Sequence, residues 1–206
     1  MRRITPYKTT RGALAALDNG GRFYNLGSDA GDGEIEAAEL AKVAGVYSNA
    51  QKMYLFLDLA LSALPKEEAD KVRSAMSPKL WAAYDRYRPR HFTPVEANRF
   101  GRGSMPAIVR GTPRFVKSRS DFAGFIIIPL MTGNTMIPMM IPITDKYDVY
   151  ELRDEETDKE FLIAHARGQR RLRETEQTFA GILKELSSSK KETGKKRLFL
   201  ECLYYA

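Results

Sequence analysis

Apolar positions in this chain change their period once, near residue 104. Before it they recur every three or four residues; after it they alternate or run together, so a helical part precedes a strand part. Leu40, Val43, Ala44 and Tyr47 share one helical face, which Ser48-Asn49 ends. The stretch 50–64 carries Met53, Tyr54, Leu55, Phe56, Leu57, Leu59, Leu61 and Leu64, apolar nearly all round, which predicts a buried central helix. Pro65 opens a third helix, with Glu67 and Glu68 in its first turn and Ala69, Val72 and Met76 facing inward. Ser77-Pro78 opens a fourth, in which Leu80, Ala83, Tyr84 and Tyr87 form the inward stripe. Thr93-Pro94-Val95-Glu96 is a capping box that predicts a short helix to about Phe100, and Gly101-Arg102-Gly103-Ser104 reads as a flexible joint.

Beyond the joint, 107–116, 147–153, 159–166, 178–186 and 197–205 read as strands, and 125–143 adds a hairpin. Its two apolar blocks flank Thr132-Gly133-Asn134, where Gly and Asn tolerate the positive φ of a tight turn. Pro129, Pro138 and Pro142 break any continuous helix there, so no membrane span is expected, and prolines belong at strand ends, bulges or edges. Both faces of the hairpin are apolar, which predicts burial on both sides. The expected class is α+β: a basic segment 1–28, a helical bundle of about four helices over 29–104, and a small antiparallel β-barrel over 105–206. An oligonucleotide-binding-type barrel leads, with sandwiches and other small barrels beside it.

At 206 residues and 43% hydrophobic content the chain can bury a core as one domain or two. A single cysteine, Cys202, excludes an intrachain disulfide and fits a reducing, cytoplasmic setting; its apolar surroundings predict a buried, unreactive thiol. The start, MRRITPYKTTRGALAALDNGG, is basic and lacks an acid before Asp18. It reads as a short helix ended by Asn19-Gly20-Gly21, with a targeting segment as the alternative.

Charge changes the picture most between 86 and 119. Arg86, Arg88, Arg90, Arg99, Arg102, Arg110, Arg114, Lys117 and Arg119 stand there against Glu96 alone, while the whole chain carries +7. Tyr87, Phe92, Phe100 and Phe115 are interleaved, the mixture of cations and rings that single-stranded nucleic acid uses. Arg110 and Arg114, four apart, share a strand face. The alternative is ion pairing with acidic segments such as 145–160.

A second pattern, Ser28 to Leu40, resembles in part the calcium loop of an EF-hand: Gly33 matches the turn glycine and Glu39 the bidentate carboxylate. Ser28 and Ala30 stand where that loop supplies oxygen ligands, so Asp32 or Gly33 as a helix cap is preferred and no metal is expected. His91 and His165 read as surface or interface residues, and no nucleophile elbow, phosphate loop or metal-spaced His/Cys set occurs. The expectation is a non-catalytic binding protein for nucleic acid or another polyanion, with no cofactor. A protein-interaction component with a composite surface, and a small enzyme with a cleft between its halves, are the alternatives.

Overall fold

The computed structural model describes residues 1–20, 29–46, 49–116, 125–132, 135–142, 147–153, 160–166, 171–187 and 197–206. It is a mixed α+β protein that divides into two compact units at Pro89–Arg90. The division leaves the capping-box helix with the strands.

The first unit, Arg2–Pro89, holds β1 (Arg2–Arg3), α1 (Thr10–Leu17), α2 (Ala37–Ala44), α3 (Ala50–Leu61), α4 (Lys66–Ser74) and α5 (Pro78–Tyr87). Local chemistry sets these starts: Thr9, Asn49 and Ser77 side chains accept the N–H groups of Gly12, Lys52 and Leu80. Helix α3 is the buried one, with every residue from Tyr54 to Leu61 inside, and α2 and α5 pack on it. Ile35 joins the two interhelical loops: its N–H donates to Ala75 O at 2.7 Å, and its carbonyl accepts the Ser77 N–H at 3.0 Å. Two expectations are corrected here. Helix α2 is capped by Glu36, later than Asp32 or Gly33, because Gly31 and Gly33 take φ of +77° and +90° and turn the chain first. Tyr87 is 46% exposed although its spacing continues the inward stripe, since it is the last residue of α5.

The second unit, Arg90–Tyr205, opens with β2 (Arg90–Phe92) and α6 (Pro94–Phe100), whose capping box forms as the sequence predicts. Seven strands follow: β3 (Pro106–Phe115), β4 (Phe125–Thr132), β5 (Thr135–Pro142), β6 (Tyr147–Arg153), β7 (Glu160–Ala166), β8 (Gln177–Ser187) and β9 (Arg197–Tyr205). Strand β3 gives its first half to β8 and its second to β6; β6 pairs β7, β7 pairs β9, and β9 pairs β8. Each of these five therefore has two partners within the set. The pairing is not purely antiparallel as expected: β8 runs back between β7 and β9 in sequence, so β7 and β9 point the same way and pair parallel, as β2 does with β3. Val109, Leu152, Ile163, Phe179 and Leu200, one from each strand, meet in the core with Ala97 of α6 and Leu172.

The hairpin forms from β4 and β5 in the register Thr132↔Thr135. Pro142 ends β5, while Pro129 and Pro138 stand opposite each other, where both missing N–H groups point away from the ladder. Strand β4 also meets β8 at Phe125 and Ile126. The two-sided burial expected of this hairpin lies outside the described side chains. No described helix is long and apolar enough to cross a membrane.

Candidate functional site

The unit boundary cuts the arginine-rich stretch. Arg86, Tyr87 and Arg88 belong to the helical unit: the Arg86 guanidinium lies 5.2 Å from the Tyr87 ring centroid, and Arg88 meets Asp85 at 3.8 Å with both side chains more than half exposed. Such an exposed pair contributes little to stability.

In the strand unit, the alternation of β3 buries Ala107, Val109 and Pro113 and turns Arg110 and Arg114 outward on one face. Arg110 is committed, its Nη2 lying 2.6 Å from Glu176 Oε2, so its partner is outside the acidic 145–160 segment. Arg114 stands across from Glu151 in the register without forming an ion pair. Phe115 is not an open platform: its ring packs edge-on against Tyr150 at 5.3 Å, and the Arg171 guanidinium covers it at 4.6 Å. Phe92 likewise packs against the core. Arg171 comes from the charged stretch after β7, and its pairing with Phe115 is not legible from spacing. Lys117 and Arg119 lie outside the described residues.

What the fold does bring together is one corner. The box at Thr93 and Glu96 starts α6, Ala97 anchors it in the core, and Gly101 donates its N–H to Ala97 O at 3.1 Å. The next turn is tied to β8, with the Ser104 N–H donating to Leu183 O and the Leu183 N–H to Met105 O, both at 2.8 Å. Arg99, Phe100 and Arg102 sit on this turn, and the β2–β3 register puts Arg90 beside Ala107, two residues past Met105. All three arginines are exposed, Phe100 is 53% exposed, and the Arg99 guanidinium lies 5.1 Å from the Phe100 ring centroid. Among the described residues no carboxylate pairs with Arg90, Arg99, Arg102 or Arg114. Glu185, half-buried beside Gly103, is an acid at the same corner.

The calcium-loop resemblance resolves differently. Glu39 is fully buried, and its two oxygens accept the N–H groups of Gly20 and of Glu36, the latter at 2.8 Å. Asp18 accepts from Gly31 at 2.6 Å and Gly33 at 2.8 Å, while the Lys42 ammonium donates to the carbonyls of Asn19 and Gly20. Backbone amides thus satisfy the carboxylates of Asp18 and Glu39, and an ammonium the carbonyls of Asn19 and Gly20. No described group of three or more His, Cys, Asp or Glu side chains could hold a metal.

Three further polar groups are interior. Asp58, the acid of α3, accepts the Tyr84 hydroxyl at 2.5 Å and the Arg73 Nη2 at 3.2 Å; burial, then the Asp58 charge, pushes the Tyr84 pKa up. His165 is 1% exposed and stacked on Tyr150 at 5.5 Å, so it is a core residue and not the surface one expected, whereas His91 is exposed. Cys202 is buried as expected, and desolvation raises its thiol pKa, leaving it protonated and a poor nucleophile. No protein-family model, curated protein or solved structure matches the chain.

Proposed function

We propose that the strand unit is a five-stranded barrel of the oligonucleotide-binding type and that the protein is a non-catalytic binder of nucleic acid or another polyanion. The ring of pairings supports the barrel: taken in chain order, the first of the five strands pairs the second and the fourth, and the third pairs the fifth. The observation that carries the function is the set Arg90, Arg99, Arg102 and Arg114, exposed and without an ion-pair partner among the described residues. A guanidinium left unpaired at the surface keeps its fork of donors for an external phosphate. Arg88 and Arg110 meet carboxylates and Arg86 belongs to the helical unit, so they contribute less to this reading, as do Phe92 and Phe115, whose rings are covered.

The test is binding of the full chain to oligonucleotides across a salt series, beside a variant with all four arginines changed to glutamine. Neutralised phosphates release counterions, so affinity falls steeply between about 50 and 200 mM salt. Each lost arginine contact removes roughly 0.7–0.9 from the slope of log K against log salt, and the fourfold variant should lose about 3. Binding that ignores salt, or an unchanged slope in the variant, overturns the proposal.

A further inference from the structure

We infer that the ligand is single-stranded nucleic acid, held at the α6 corner with a base stacked on Phe100 and phosphates on Arg90, Arg99 and Arg102. This rests on the binding reading above and narrows it to one ligand class. Among the described side chains, the large exposed hydrophobics are Trp81, Tyr87 and Phe100, and the first two belong to the helical unit. Phe100 is therefore the one large exposed ring among the described side chains of its unit, and it is set among arginines. A protein-docking surface is built from contiguous apolar area with charge depleted at its centre, which is the opposite arrangement. A single-strand platform, by contrast, combines a ring with cations, because every base offers a π-face and every linkage a charge. Duplex DNA hides its base faces inside the stack and polyphosphate has none, so a ring confers no advantage with either.

The mounting is rigid enough for recognition. Phe100 closes a helix anchored by the fully buried Ala97, and the following Gly101 lies against Ala97 O, Leu183 and Leu198 so closely that a Cβ would meet them at 2.3, 2.8 and 3.1 Å. The backbone that carries the ring is thus positioned before a ligand arrives, which lowers the ordering cost of binding. Arg99 lies over one face of the ring at 5.1 Å, so a base would take the other face of this 53% exposed ring, with the guanidinium left nearby for the adjoining phosphate.

The experiment compares an oligothymidylate, a duplex of equal length and inorganic polyphosphate, each titrated against the wild-type chain, Phe100→Ala and Phe100→Trp at one low salt concentration. Circular dichroism checks that the variants keep the fold. The expected result is tightest binding to the single strand, a loss of about tenfold or more for Phe100→Ala on that ligand, and retention by Phe100→Trp. Polyphosphate binding should not change in either variant. Polyphosphate binding as tightly as the oligonucleotide, with Phe100→Ala without effect, overturns the stacking inference and leaves the polyanion reading standing. So does tighter binding to the duplex, or a Phe100→Ala loss equal for all three ligands, which marks a structural role. Failure of all three ligands to bind overturns both readings.

Discussion

Gly181 joins β8 to β9 where the register slips: Ala180 pairs Tyr204, while Gly181 pairs Cys202. A Cβ built at Gly181 would lie 2.0 Å from the Glu201 carbonyl oxygen and 2.8 Å from its carbon, where real contacts under 3.0 Å essentially never occur. The obstacle is main chain, so no side chain can swing away, and Gly181→Ala must part the strands by about 1 Å. That separation takes a hydrogen bond of ordinary length beyond useful range. Two ladder bonds at about 1 kcal/mol each, with an overpacking cost of about 1–3 kcal/mol, give a loss of roughly 3–5 kcal/mol. For a unit of this size the loss lowers Tm by roughly 12–20 °C. Thermal melts followed by far-ultraviolet circular dichroism measure it, and hydrogen exchange read peptide by peptide should show faster exchange in β8 and β9. Gly103→Ala is the control: its Cβ would meet Glu185 side-chain atoms at 3.1–3.3 Å, which can move, so a change under about 1 kcal/mol is expected. A Gly181→Ala protein with the wild-type Tm and wild-type exchange in both strands would refute the pairing and the closed ring built on it.

Glu39→Gln keeps the shape of the side chain but turns an amide donor toward a backbone N–H, so the helical unit should lose about 2–3 kcal/mol in urea melts. A wild-type midpoint would mean the carboxylate does not cap α2. Because Glu39 and Asp18 are already bonded to main-chain amides, millimolar calcium should leave the wild-type Tm unchanged, and a rise of several degrees would restore the ion-loop reading. Tyr84 has a raised pKa from burial and from Asp58, so the unfolded state releases this proton first as pH rises. Its contribution is complete below the ordinary tyrosine value of about 10 and is lost above it. Tm measured from pH 8 to pH 11 should therefore fall at the alkaline end, and fall less steeply in Tyr84→Phe; equal slopes would count against the assignment.

How much of this was legible followed from how local each determinant is. Thr93 with Glu96, Ser77 with Pro78, and the run from Tyr54 to Leu61 fix their helices within a few residues, and the structure has them as the spacing predicts. The alternation along β3 likewise placed Arg110 and Arg114 on one face. Long-range partners were a different matter. Nothing near Glu39 announces that Gly20 will donate to it, so its place in a loop pattern suggested an ion ligand. Asp58 carried a weak signal, a lone acid in a helix otherwise apolar all round, which calls for interior partners; Tyr84 and Arg73 are those partners. His165 reads from the sequence as a surface or interface group because alternation says which face a residue occupies but not that Tyr150 stacks there. Within the charged stretch, composition could not separate arginines that face solvent without an ion-pair partner among the described residues from Arg110, whose partner Glu176 lies on the far side of four intervening strands in sequence.

The placement of β9 also governs how the strand unit can fold. Hairpins β4–β5 and β6–β7 join neighbours in sequence and can close in microseconds. The β3–β8 and β7–β9 ladders link segments with other strands between them, so loop closure must be completed before those contacts contribute. Strand β9 can pair β8, its neighbour in sequence, as a local hairpin, but its ladder to β7 waits until β6–β7 and β8–β9 are both in place. Refolding should accordingly be slow for the size of the unit, in the millisecond-to-second range of non-local β topologies, with the ring closing last.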